Sequence, residues 1–418
     1  MKTIKMNNKP VIYNIKDVNR VFIDIGFAID TKKENPPVID LLKRLLGGYS
    51  NSYKDNQVFF NKLDELYILR YRISTYFYKD ISYIRFSLSL PKEDIIDEFS
   101  LEEALIFFKD VIFNPYIDKD KFNDKAFDLE KGYLLDREKP FPRDIEEYVG
   151  DKYWKFIDKR EELGINHDNY MEVLKSITSK DLYDYYMKYI FNNNYFVYIY
   201  GNVIDKNKYL EVFNKVFNTK DKVISKKVSF YKFRRDFKEE HKEEITKYNQ
   251  SVLCLNYVIK NMTIKEGLLF DVLFDILSAK ENALIYNELR TKNNLIYSSR
   301  IYQKKHYGFF NVFIYYNDAN YKDIIDIVNN AIKSLYEKEV FEKCKQRLVT
   351  SLKYGLLYKE DDPFDKVYSK VEVKFFDEID FNKRIKLTEE VTHEEFKTIL
   401  DKVILTKSYL FIGGDNNA

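Results

Sequence analysis

The feature that most constrains this chain is that it repeats itself. Ile177-Thr-Ser-Lys-Asp-Leu-Tyr-Asp-Tyr-Tyr-Met-Lys-Tyr-Ile, then Tyr195-Phe-Val-Tyr-Ile-Tyr-Gly-Asn, has a counterpart near the C-terminus. The counterpart is Val391-Thr-His-Glu-Glu-Phe-Lys-Thr-Ile-Leu-Asp-Lys-Val-Ile, then Tyr409-Leu-Phe-Ile-Gly-Gly-Asp-Asn. Thr178 and Thr392 lie 214 residues apart, and Tyr195 and Tyr409 keep that offset. In both copies Thr is placed to cap an amphipathic helix, and a short strand ends at Gly. Phe122 and Phe341 differ by 219, and Pro140 and Pro363, each followed by Phe, by 223. Asp64-Glu-Leu and Asn287-Glu-Leu also differ by 223. One match would be chance; several in the same order imply a duplication. A chain of 418 residues then divides into two domains of about 200 residues.

Each half mixes strands and helices. Ile84, Phe86, Leu88 and Leu90 alternate with Arg85, Ser87 and Ser89, the period of a half-buried strand, until Pro91. Leu101, Leu105, Phe108 and Ile112 then share a helical face that Asn114-Pro115 ends. In the second half Leu269, Val272, Leu273, Ile276 and Leu277 form a helical stripe, and Phe310, Val312, Ile314 and Tyr316 a strand. Clustered rather than alternating elements predict two α+β halves, each an antiparallel sheet packed with helices. The expected boundaries are 1–218, a charged linker at 219–247, and 248–418. The linker holds Phe230-Tyr-Lys-Phe-Arg-Arg and Glu239-Glu-His-Lys-Glu-Glu. Basic residues beside aromatics suit nucleic acid, but both charge signs at a boundary suit a solvated connection better.

Charge points the same way: 69 Lys+Arg against 67 Asp+Glu leaves no overall field for nucleic acid or an anionic membrane. The start, Met1-Lys-Thr-Ile-Lys-Met-Asn-Asn-Lys, has no apolar signal-peptide core, and no stretch reaches about 18 apolar residues. Cys254 and Cys344 are two scattered thiols, which suits a reducing compartment. The expected location is cytoplasmic.

Four segments resemble the pitrilysin/insulinase family of inverted-motif zinc peptidases. Asn282-Ala-Leu-Ile-Tyr-Asn-Glu-Leu-Arg-Thr-Lys-Asn-Asn-Leu-Ile-Tyr-Ser is similar to its second-half segment, where Tyr follows Arg by seven residues. Glu162-Leu-Gly-Ile through Ile177-Thr-Ser-Lys-Asp-Leu, and the strand ending Tyr200-Gly201-Asn202, resemble its first half. Gln250-Ser-Val-Leu-Cys-Leu-Asn-Tyr looks like the start of the second. The resemblance implies the fold of two paired α+β halves.

Active members carry H-x-x-E-H on an early helix and a distant Glu as third ligand: two imidazoles one turn apart hold Zn²⁺, and the Glu polarises its water. The equivalent stretch here is Val38-Ile-Asp-Leu-Leu-Lys-Arg-Leu-Leu-Gly-Gly. Val38 or Ile39 stands at the first His, Leu41 or Leu42 at the Glu, and Leu42 or Lys43 at the second His. Asp136 or Glu138 lies near the third ligand's position, and His167, His241, His306 and His393 are all distant in sequence. The chain is therefore expected to hold no metal, to bind no cofactor of its own and to be inactive alone. Arg290 and Tyr297 keep the family's spacing, and the resemblance implies that they bind substrate at the cleaved bond; Ile296 departs from the usual Gly. A guanidinium and a phenol aimed at a developing oxyanion are strong donors. The alternative is that Arg290 complements a helix end and Tyr297 packs at a strand start. The implied function is the non-catalytic subunit of a heterodimeric peptidase. Its partner would be a homologous zinc-bearing subunit, its substrate a short peptide, with peptide maturation as one role. The other reading is a catalytically dead scaffold that binds peptides.

Overall fold

A computed structural model of the protein describes residues 2–30, 35–78, 81–158, 163, 166–218, 223–228, 233, 237–278, 283–317, 319–376 and 379–414. Strands β1 (Val11–Asn14), β2 (Arg20–Asp30), β3 (Arg70–Tyr78), β4 (Ile81–Pro91) and β5 (Tyr195–Gly201) form a sheet in the order β1-β5-β2-β4-β3. Strands β6 (Glu240–Thr246), β7 (Ser251–Ile259), β8 (Ser298–Lys304), β9 (Phe309–Tyr316) and β10 (Val403–Gly413) form another in the order β6-β10-β7-β9-β8. Adding five to each label converts one order into the other, so the duplication read from the sequence is a duplication of topology. Both sheets are antiparallel except at one edge, where β1 runs parallel to β5 and β6 to β10.

The alternation along β4 does what its period requires: Ile84, Phe86, Leu88 and Leu90 enter the first core with Ile23, Ile25 and Phe27 of β2. Helices Asn35–Leu46 and Leu101–Phe113 cover that face through Leu41, Leu42, Leu105 and Phe108. Full burial of each such side chain stabilises by about 1.5–3 kcal/mol. Ser100 caps the start of Leu101–Phe113 by accepting from the Glu103 N–H, and Asn114 stands at its end, as the sequence predicts. In the second core Leu253 and Leu255 of β7 and Val312 and Ile314 of β9 pack with Leu273, Ile276 and Leu277 of helix Gly267–Ser278. Thr178 and Thr392 both form capping boxes, with Asp181 and Glu395.

Two features differ from the sequence reading. The charged segment is not all linker: Val223–Val228 pairs antiparallel with Lys2–Asn7, and Glu240–Thr246 is the edge strand β6. Charges on an exposed edge discourage pairing with other chains, and they leave the strand no apolar alternation to be read. Of the stretch 230–235 only Phe233 is described, packed against the second core. The constant offset of 214 also fails within the last strands. Tyr195 enters the first core, whereas Tyr409 lies on the opposite face of its sheet, with Phe156 at 5.2 Å. The residue after Tyr195, Phe196, is the one that lies on that opposite face, against Phe375 at 5.0 Å. Strand faces alternate with period two, so one residue decides the face. The π-turn Met187–Phe191, which has no counterpart after helix His393–Leu400, takes up the extra residue.

Packing groups residues 1–141, 160–229 and 366–378 into one unit and 142–159, 230–365 and 379–418 into the other. The units therefore cross the expected boundary at 218. In the first, helix Pro363–Phe376 lies on the sheet face opposite the core, with Tyr368 against Tyr200. In the second, helix Ile145–Ile157 takes the same place, with Tyr153 against Phe313.

Candidate functional site

Helix Asn35–Leu46 opens with Asn35-Pro-Pro and stops at Gly47-Gly48. Its inner positions are core: Val38 is 7% exposed, Ile39 2%, and Leu41 and Leu42 0%. Both registers of the metal motif thus fall on side chains that pack among hydrocarbon, apart from Lys43, which pairs with Asp40 at 3.0 Å. Helix Asp124–Glu138 lies against this one and sends over a mixed pair of charges. Buried Glu130 pairs with Arg44 and accepts from Tyr49 Oη at 3.2 Å. Arg137 lies 3.7 Å from Asp40 Oδ2, the oxygen that also accepts from the Tyr170 hydroxyl at 3.0 Å. Burial opposes the Arg137 charge, but its hydrogen bond to Glu138, Tyr170 and the field of Asp40 outweigh this and raise its pKa.

The sequence placed Asp136 and Glu138 near the third ligand's position. Asp136 is exposed and pairs with Lys139; Glu138 accepts from Arg137 Nε at 2.8 Å. The side chain that reaches the metal-motif helix from this end is a guanidinium, the opposite charge from a ligand. Zinc needs three or four deprotonated N, O or S donors at one point, and these residues do not fit it. Among the described residues no three His, Cys, Asp or Glu side chains form a metal-binding group. The histidines sit apart: His167 stacks on Phe141 at 3.8 Å, His241 contacts Ser408 and Glu243, and His393 is buried against Phe341.

Arg290 and Tyr297 are brought together. Arg290 lies in the π-turn Asn287–Lys292 and is exposed; its Nη1 donates to the Ile296 carbonyl at 2.8 Å, on the residue just before Tyr297. Ile296, at 2% exposure, anchors this link in the second core. The Tyr297 N–H donates to the Tyr315 carbonyl at 2.8 Å, setting the start of β8, while its side chain is 72% exposed. The guanidinium thus satisfies a carbonyl beyond the helix end, while Tyr297 presents its ring to solvent instead of packing.

Sequence reasoning missed two groups. One is Asn294, which also accepts from Arg290 Nη1, at 3.2 Å; the Asn293-Asn294 pair was its available signal, as a turn former. The other is Asp24 with Arg85, fully and nearly buried on the outer face of the first sheet. A lone Asp within Val21-Phe-Ile-Asp-Ile-Gly-Phe could have marked it.

Residues 176–348 match the peptidase M16 inactive domain. No curated protein sequence matches the chain. A conserved protein from Enterococcus faecalis V583 superposes with a TM-score of 0.82 at 17% identity, covering 100% of both chains. The peptidase M16 inactive domain from Pseudomonas fluorescens gives 0.70 at 14% identity over 99% of this chain and 97% of that one. The periplasmic protease PqqL from Escherichia coli gives 0.64 at 12% identity, over 97% of this chain but 45% of its own. These superpositions show a shared fold. No helix among the described residues is long and apolar enough to cross a membrane.

Proposed function

We propose that this chain, whose residues 176–348 match the peptidase M16 inactive domain, belongs to the pitrilysin/insulinase-type (M16) peptidases and is the non-catalytic subunit of a two-chain peptidase. It would enclose and position short, unfolded peptides for a homologous zinc-bearing subunit. The observation that carries this reading is helix Asn35–Leu46, whose metal-motif positions, apart from Lys43, are hydrocarbon core beside an Arg137–Asp40 pair. A helix packed this way contributes stability and no Lewis acid. A likeness that spans this whole chain but under half of PqqL supports a module that works with a second like it. The unpaired thiols Cys254 and Cys344 support a reducing, cytoplasmic setting.

In this reading Arg290 and Tyr297 donate to the substrate carbonyl as negative charge grows on its oxygen, and the partner supplies the metal and general base. The test is reconstitution with a homologous chain that carries H-x-x-E-H. Cleavage of an unstructured peptide should need both chains. With assembly intact, Arg290→Ala should lower kcat by roughly 10²–10³, and Tyr297→Phe by less because the ring stays. A partner that cleaves equally well alone, or an assembled Arg290→Ala complex with unchanged turnover, would leave this chain as a peptide-binding scaffold.

A further inference from the structure

We propose that Asn294 is a positioning residue that holds the Arg290 guanidinium in place; this rests on the reading of Arg290 as a substrate donor. Asn294 has φ 50°, in the left-handed region where Gly, Asn and Asp are the tolerated residues. That conformation turns the chain out of the π-turn Asn287–Lys292 and lets two N–H groups close it. Asn294 N–H donates to the Arg290 carbonyl at 3.1 Å, and Leu295 N–H to the Leu289 carbonyl at 3.0 Å.

The same turn brings the Asn294 side chain back over Arg290, and its Oδ1 accepts from Nη1 at 3.2 Å. Nη1 also reaches the Ile296 carbonyl at 2.8 Å, so one nitrogen of the fork is held by two acceptors. Leu289 and Ile296, both in the second core, fix the two ends of the clasp. An exposed arginine ordinarily samples many rotamers. Here one nitrogen is tethered to the peptide that leads into Tyr297, which limits rotation and leaves the rest of the fork to meet a ligand. A donor held in place before substrate arrives loses less freedom on binding and needs less reorganisation as charge develops. Ser in place of Asn294 would strain φ more and reach less far, whereas Asp tolerates the left-handed backbone and keeps an acceptor. Gly would keep the backbone and delete only the acceptor, which makes Asn294→Gly the informative variant.

The experiment uses the full chain with isotopically labelled arginine. Nitrogen NMR measures rotation of the Arg290 guanidinium about its Cζ–Nη bonds, a property that fold stability alone does not move. Asn294→Gly should speed the Nη1 rotation roughly threefold to tenfold, the scale of one ordinary hydrogen bond lost at a solvent-exposed site. Asn294→Asp, which keeps an acceptor, should restore slow rotation. Unchanged rotation in Asn294→Gly would overturn the proposal. In the complex with the H-x-x-E-H chain, a double-mutant cycle then asks whether Asn294 acts through Arg290. Asn294→Gly should lower kcat with little change in KM, and cause no further loss in the Arg290→Ala background. An equal loss in both backgrounds would also overturn it. Arg290→Ala without effect on turnover would instead remove the substrate-donor reading, while the rotation measurement still decides what Asn294 does.

Discussion

Helix Pro363–Phe376 seats its Tyr368 on a charged cluster of the first sheet, whereas helix Ile145–Ile157 seats its Tyr153 on a neutral cluster of the second. In the first, the Tyr368 and Tyr200 hydroxyls meet at 3.0 Å, and Tyr200 donates to Asp24 at 3.4 Å. Asp24 lies 3.5 Å from Arg85, which donates to Tyr198 at 3.2 Å and stacks over Tyr76. In the second, Tyr153 donates to Asn311 Oδ1 at 2.7 Å, Asn256 donates to the same oxygen at 2.9 Å, and Thr406 donates to Asn256 at 2.8 Å. The duplicated halves thus keep a place for a helix-borne tyrosine while exchanging an ion pair for amides. The two solutions differ in completeness. Asp24 Oδ1, Arg85 Nε, Ser74 Oγ and Ser89 Oγ have no partner on the first sheet, against Asn311 Nδ2 within the amide cluster. Topology tolerates a change of polar chemistry so long as the apolar faces keep their parity.

The sharpest way to break this comparison is to remove one partner from each cluster and follow urea unfolding at neutral pH. Arg85→Met leaves the Asp24 carboxylate buried without its cation and should cost about 3–5 kcal/mol. Asn311→Ala leaves neutral groups without an acceptor and should cost about 1–3 kcal/mol. Equal costs would mean that the ionic and amide clusters are energetically the same device. The pH dependence should be smaller and easier to sign. Burial raises the Asp24 pKa against the lowering influence of Arg85 and of the Ser87, Tyr198 and Tyr200 hydroxyls. A carboxyl whose pKa rises on folding gives its full contribution below the unfolded value of about 3.9 and loses it as pH climbs through the folded value. Wild type should therefore lose stability relative to Asp24→Asn as pH rises from acid toward neutral. Asn311→Ala should track wild type across that range. An opposite slope for Asp24→Asn would show that attraction to Arg85 outweighs burial.

The smallest effect concerns what the halves hold in common. Thr178→Ala and Thr392→Ala each remove one capping box and should cost about 0.5–2 kcal/mol apiece. Clearly unequal costs, by thermal or urea unfolding, would show that equivalent caps are not equally used.

Much of this architecture was legible because it is written in periodicity and caps. The threonine boxes, the alternation along Ile81–Pro91 and the stripe of Gly267–Ser278 depend on neighbours within a turn or two. The edge strand Glu240–Thr246 was hidden because its only apolar residue, Ile245, is 76% exposed, so no alternation betrays it. The one-residue shift between Tyr195 and Tyr409 was hidden by a π-turn, which the 3.6-residue period does not anticipate. The placement of helices Ile145–Ile157 and Pro363–Phe376 is a tertiary fact that no local pattern encodes. At the candidate site the spacing of Arg290 and Tyr297 was readable, and the clasp through Asn294 and Ile296 required a left-handed residue to be seen in place.

The central claim is that helix Asn35–Leu46 serves as core and holds no metal. It is tested most directly by the zinc content of the purified chain after exhaustive dialysis, measured with its activity on an unstructured fluorogenic peptide. The account predicts zinc far below one per chain and no cleavage. About one tightly held zinc per chain, with cleavage that a chelator abolishes, would contradict it.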